Sequence, residues 1–169
     1  MEKEKRTLRF SEIFGFGAGG MFTYGFQLMI TGYYLLYYMT DIAGFSTVLA
    51  ASLYSTIQII KMVTMLFSGV IIDAINFRSG KYRTWVLVSG IGLGLFFPLS
   101  FFYYPLPQSV YVVVFMIIYT LQTLFYNVGW TAMRAVIGKV AKNKADVVAL
   151  NTSAQSAGTI SSILYGYIG

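Results

Sequence analysis

A run of apolar residues from about Phe45 to Ile72, carrying one charged residue, Lys61, constrains this chain more than any other feature. At about 1.5 Å of rise per residue the run is longer than a hydrocarbon core of about 30 Å, so it predicts a helix that crosses a membrane with some tilt. Lys61 lies too deep for its side chain to snorkel to either surface, and an ammonium facing lipid is costly, so it is expected to face protein or water. A structural lysine packed against neighbouring carbonyls is the alternative to a functional one.

The run is one of five apolar segments, at about 13–40, 45–73, 85–103, 110–137 and 147–169. Hydrophobic residues make up 57% of the chain and charged residues 11%, too few polar groups to cover a soluble surface; an all-α, polytopic membrane bundle is predicted. Of the twelve basic residues, ten lie in three short clusters (Lys3 to Arg9, Arg78 to Arg83, Lys139 to Lys144), and only Lys61 and Arg134 lie outside them. Basic loops stay on the cytoplasmic side, which places the N-terminus and the loops of Lys81 and Lys142 inside and the turns of Asp41 and Pro105 outside. The net charge of +6 therefore reports orientation and not a nucleic-acid partner. The basic N-terminus precedes an apolar stretch too long for a signal-peptide core, and it is read as retained.

The chain has no cysteine and no histidine, which removes thiolate nucleophiles, imidazole bases, disulfides and the usual zinc sites. Its six acidic residues (Glu2, Glu4, Glu12, Asp41, Asp73, Asp146) all sit at or beyond the ends of the apolar segments, leaving no paired carboxylates for acid–base work. No enzyme, metal site or cofactor is expected. Gly15, Gly17, Gly19, Gly20 and Gly25 suggest a phosphate loop only superficially, because no strand precedes them and no Lys-Ser or Lys-Thr follows; they are expected to pack helices closely. Tyr33, Tyr34, Tyr37 and Tyr38 are expected to form an aromatic belt at the outer surface.

The polar residues inside the segments mark a candidate binding site. Asn127, Trp130, Thr131 and Arg134 recur at threes and fours, so they share a helical face that a polar cavity would favour and lipid would not, although Arg134 is close enough to Lys139 to snorkel. The fifth segment carries Asn151, Gln155 and several hydroxyls, the composition of a cavity-lining helix. Asp73 and Arg134 both fall within about a turn of the cytoplasmic face. They are expected to interact, directly or through the Lys81 loop, and to help hold that face closed, at about 1 kcal/mol or less for a partly exposed pair.

Gly69-x-x-x-Asp73 followed by Gly80-Lys81-Tyr82-Arg83 resembles the loop between helices two and three of the major facilitator superfamily. More narrowly, Gly15-Phe16-Gly17-Ala18-Gly19, the stretch Tyr34 to Gly44 and Arg78 to Trp85 resemble the glycoside-pentoside-hexuronide:cation symporters, the group containing melibiose permease. The resemblance covers essentially the whole chain. It implies five transmembrane helices of the N-terminal six-helix half of a major facilitator transporter in the inner (plasma) membrane. It also implies a sugar or glycoside bound near the midplane between two halves and alternating access by rocking. The C-terminal half, or a partner chain supplying it, would be missing; a truncated inactive fragment and a non-transporting sensor or assembly subunit are the alternative readings.

The resemblance also carries departures. Helix two of such symporters holds its coupling cation with two acidic residues one turn apart, and counting back from Gly69 those positions here are Lys61 and Met65. The acidic position after the glycines of helix one falls among Gly20, Met21 and Phe22, whereas the acidic or amide position before the helix-four aromatic falls on Asn127. A sugar site through Asn127, Trp130, Thr131, Asn151 and Gln155 is therefore implied without the usual sodium site. Lys61 stands in its place either as a built-in cation or as a route for a proton. Membrane lipid is the remaining expected partner.

Overall fold

The structure is a computed structural model that describes residues 7–21, 25, 30–75, 77 and 80–168. Lys3, Lys5, Arg6, Phe22, Arg78 and Ser79, on which parts of the sequence reading rest, lie outside the described residues. Among the described residues every regular element is helical. Helix α1 covers Phe10–Phe16 and is followed by wider, π-type turns at Gly17–Met21, Ile30–Tyr34 and Tyr38–Ile42, with a single α-helical turn at Leu35–Tyr37. Helices α2 (Thr47–Ala74), α3 (Lys81–Ser100), α4 (Gln108–Val140) and α5 (Lys144–Ile168) complete the chain.

Three of these, α2, α3 and α4, are long and apolar enough to cross a membrane. Helix α5 is long enough, but the amides and hydroxyls between Asn151 and Ser162 make it the least apolar of the four long helices. Local signals explain the ends. Ser46 caps α2 by accepting a hydrogen bond from Leu49 N (3.4 Å). Gly44 (φ 68°) and Gly80 (φ 101°) occupy the left-handed region that a side chain disfavours, at the turns before α2 and α3.

The chain divides into two compact units, Leu35–Ala132 and Met1–Tyr34 with Met133–Gly169. In the first, Leu35, Tyr38, Met39, Phe45, Ala50, Leu53, Ile57, Tyr111, Phe115 and Tyr119 form a buried cluster. Tyr38 Oη donates to the Phe102 carbonyl (2.8 Å), so the proton on its 2.7 Å contact with Tyr111 Oη comes from Tyr111. Tyr38 is thus an inward-facing tie, while Tyr33 and Tyr37 are exposed. The expected tyrosine belt is split by helical periodicity. A second cluster joins Ile72, Trp85, Val128 and Ala132, and Gly92 lets the Phe125 ring lie against α3: a Cβ there would sit 2.7 Å or less from ring carbons.

In the other unit, Ile13, Ile137 and Leu150 form the buried centre, with Leu8, Phe16, Ala141 and Ala149 packed on it. Two of the sequence's glycines carry close packing here. A Cβ on Gly17 would lie 2.8 Å from the Ser153 carbonyl oxygen, and one on Gly25 would lie 3.0 Å from Ser161 Cβ and closer still to its hydroxyl. Ser153 Oγ also donates to the Ile13 carbonyl (2.7 Å). Gly15 and Gly19 differ, since a Cβ on either meets nothing within 4 Å.

Candidate functional site

Within the unit Leu35–Ala132, α2 and α4 are joined by a polar seam in an otherwise apolar stretch. Asn127 Nδ2 donates to the Lys61 carbonyl (3.0 Å) and to Thr64 Oγ1 (2.7 Å). Thr64 Oγ1 in turn donates to the Ile60 carbonyl (2.8 Å). One turn on, Ser68 Oγ donates to the Met65 carbonyl (2.7 Å) and therefore accepts from Thr131 Oγ1 (2.8 Å). These are the side-chain bonds that hold helices together in lipid, each worth about 1 kcal/mol.

The seam qualifies what Asn127 and Thr131 are free to do. Both amide hydrogens of Asn127 and the hydroxyl proton of Thr131 are engaged by α2. Asn127 and Thr131 thus turn their donors toward α2. Trp130 stacks on Tyr126, one turn earlier, with ring centroids 6.4 Å apart and an interplanar angle of 11°. Lys61 is half-buried and lifts its ammonium to 6.0 Å from the Tyr126 ring centroid, the outer limit of a cation–π contact. The sequence places Lys61 toward protein or water, and the Tyr126 ring is the protein group nearest its ammonium in this contact. Tyr126 itself was not singled out in the sequence, although its spacing of four from Trp130 is a legible signal.

Deeper in α4, Gln122 is fully enclosed, and neither its Oε1 nor its Nε2 has a hydrogen-bond partner. Leaving such an amide unsatisfied costs about 1–3 kcal/mol, which a water or a polar ligand group would relieve. Ser89 Oγ and Trp85 Nε1 on α3 are likewise buried without partners.

Asp73, at the end of α2, is exposed and forms an ion pair with Lys81 at the start of α3. This is the loop-side partner that the sequence allowed for. Arg134 belongs to the other unit and is exposed near the end of α4.

In that other unit, Asn151 Nδ2 donates to the Val147 carbonyl of its own helix (2.9 Å). Gln155 is exposed and, with Thr152, Ser156, Thr159 and Ile160, lines a groove of about 510 Å³ on α5. The strongest polar constellation in the unit is one the sequence reading passed over. The Asp146 carboxylate is enclosed and accepts four hydrogen bonds: Thr7 N (2.9 Å) and Leu8 N (3.3 Å) on Oδ1, and Thr7 Oγ1 (2.5 Å) and Lys142 N (3.3 Å) on Oδ2. Asn143 Oδ1 accepts from Asp146 N (2.8 Å), capping α5. Enclosure alone would raise the carboxyl's pKa, but the bonds from Thr7, Leu8 and Lys142 outweigh it and hold the pKa at about 2. The sequence signal was Asn143-x-x-Asp146, a capping pattern; its partner at Thr7 was invisible.

A family model described as MFS/sugar transport protein matches residues 15–168. Among curated proteins of Escherichia coli (strain K12), the chain is 29% identical over 126 residues to the putative glycoside/cation symporter YagG, covering 73% of this chain and 27% of that protein. It is 26% identical over 107 residues to the inner membrane symporter YicJ, covering 62% of this chain and 23% of YicJ. It is 28% identical over 94 residues to a glucuronide carrier protein homolog, covering 56% and 20%. The matched region thus spans about a quarter of the length of these relatives. No solved structure matches.

Proposed function

Because the chain belongs to the family of MFS/sugar transport proteins, whose members here are membrane symporters rather than enzymes, we propose that it forms part of a sugar or glycoside transporter of the inner (plasma) membrane. In this reading it crosses the membrane five times, at about 13–40, 45–73, 85–103, 110–137 and 147–169, with its N-terminus cytoplasmic. It supplies one wall of a cavity completed by a further half, and it works by alternating access. The observation that carries the proposal is the polar seam of α2 and α4, with Lys61, Tyr126 and Trp130 grouped beside it in the middle of two apolar helices. Lipid penalises such a grouping, and a substrate path favours it. Trp130 offers a flat apolar face to a sugar ring, and Gln155 on α5 offers an exposed amide. Asn127 and Thr131 contribute by holding α2 and α4 together, and Asn127 and Asn151 by their amide oxygens.

The same reading holds that the transporter is not driven by sodium at the site its relatives use. A sodium ion in low dielectric requires oxygen ligands that compensate its lost hydration, normally including carboxylate. At the two helix-two positions where the resemblance implies carboxylates, this chain carries Lys61 and Met65. Lys61 places an ammonium on the Tyr126 ring instead. A chimera in which this chain replaces the matched region of YagG tests both parts. Uptake of labelled glycosides that saturates and is unchanged by sodium or lithium is the expected result. Sodium stimulation that survives Lys61→Ala overturns the sodium claim, and accumulation driven by a pH gradient and lost in Lys61→Ala shows proton coupling.

Topology is open to a separate check, since the chain lacks cysteine. Single cysteines beside Lys81 and Lys142 are expected to resist an impermeant thiol reagent added to intact cells, and cysteines beside Asp41 and Pro105 to react. Labelling of the Lys81 loop from outside overturns the arrangement.

A further inference from the structure

A groove of about 750 Å³ runs between α1 and the first half of α5. Its wall nearest the start of α5 is apolar, formed by Phe10, Phe14, Val148 and Ala149, and Lys144 stands at its rim; the hydroxyls of Thr152 and Ser156 lie at its far end. Phe10, Phe14 and Val148 are 77%, 62% and 64% exposed, and the two phenylalanines stack with centroids 6.2 Å apart. From Lys144 to Ser156 is roughly 18 Å at the helical rise, close to one leaflet's share, roughly 15 Å, of the hydrocarbon core.

We propose that this groove seats one acyl chain of an anionic glycerophospholipid, with the lipid phosphate held at Lys144. Three observations choose this occupant. The groove opens at the end of the chain's apolar segments where basic residues gather, with Arg9 and Lys142 exposed nearby in sequence and Lys144 lining the groove itself. The acid closest to that rim in sequence, Asp146, is enclosed and saturated by four donors, so it does not oppose an anion as a free carboxylate would. Among the described residues the other acid near the start of α1 is Glu12, which is exposed and accepts from Arg9 N (2.8 Å). An ammonium at the headgroup level beside an aromatic, leaflet-deep groove is complementary to a phosphate with a tail attached.

The comparison within the molecule is a second groove, of about 420 Å³, lined by Ile60, Val113, Met116 and Ile117 among others and by no charged residue. It has the apolar wall without the cation. The two grooves therefore separate lipid contact from headgroup selection.

The inference rests on the chain lying in a membrane and not on transport, so sugar uptake plays no part in its test. The full 169-residue chain, carrying Phe14→Cys, Phe10→Cys or Val113→Cys labelled with a thiol-reactive bimane, is reconstituted in vesicles of symmetric leaflets. Quenching by brominated phosphatidylglycerol is compared with quenching by brominated phosphatidylcholine. A preference of about fivefold for the anionic lipid is expected at positions 14 and 10, the factor that one cation at the surface supplies, with none at position 113. Lys144→Gln abolishes the preference and Lys144→Arg keeps it. Equal quenching by both lipids at all three positions, or a preference untouched by Lys144→Gln, overturns the proposal. So does quenching by neither lipid at positions 10 and 14, which would mean that protein fills the groove.

Discussion

Replacing Asp146 by alanine is expected to release the segment at Thr7 and Leu8 from the start of α5. Three backbone N–H groups and one hydroxyl converge on that carboxylate, and all four lose their acceptor at once. Hydrogen exchange of the Thr7 and Leu8 amides, read by mass spectrometry at neutral pH, should accelerate on the order of tenfold or more, the least that losing one charge-assisted bond predicts. Asp146→Asn should fall between, because one oxygen survives as an acceptor while the new amide group meets donors. The tie is also acid-sensitive in a defined window. The carboxyl's pKa is about 2 in the folded chain and about 3.9 when unfolded. The tie therefore contributes fully above about pH 4 and is lost as the pH falls toward 2. Protection of these amides, taken relative to the intrinsic exchange rate at each pH, that falls in the wild type only in this window and is already lost at every pH in Asp146→Ala is the expected pattern. Unchanged exchange in Asp146→Ala would show that the N-terminal segment is held by its apolar contacts alone.

The second large effect separates glycines that look alike in sequence. Gly17→Ala and Gly25→Ala each drive a methyl into Ser153 or Ser161, and the Ser153 contact includes backbone that cannot rotate away. Overpacking of this kind costs about 1–3 kcal/mol, and valine at either position costs more. Gly15→Ala and Gly19→Ala meet open space and should stay within about 0.5 kcal/mol. Unfolding of the purified chain in mixed detergent micelles, titrated with a denaturing detergent, would rank the four. Equal losses at all four positions would mean that the glycines matter through backbone conformation and not through contact with α5.

Several features of the site were legible because they depend on neighbours in the chain. The spacing of Asn127, Trp130 and Thr131 put them on one face of α4 without any tertiary information, and a lysine in the middle of an apolar helix announced a side chain that turns away from lipid. What lay opposite them was not legible. Asn127 and Thr131 were read as cavity residues, and their amide and hydroxyl protons in fact reach Lys61, Thr64 and Ser68. The register of α2 against α4 has no signature in either helix alone. Asp73 differs, since its ion-pair partner Lys81 is only eight residues on, in the loop to which the sequence pointed.

Taken alone, the sequence determined that the chain is helical and apolar and which family it belongs to. Hydropathy, charge clustering and the glycines at Gly44 and Gly80 act over a few residues, and a bilayer leaves few backbone solutions other than helices. The tertiary structure decided which polar groups are partnered and which are not. It turned Tyr38 inward, closed four donors around Asp146, left Gln122 without a partner and set Gly17 and Gly25 apart from Gly15 and Gly19. Each of these depends on which atom of a distant helix lies within about 3–4 Å, and that distance is set by packing between helices, which no local pattern of residues encodes.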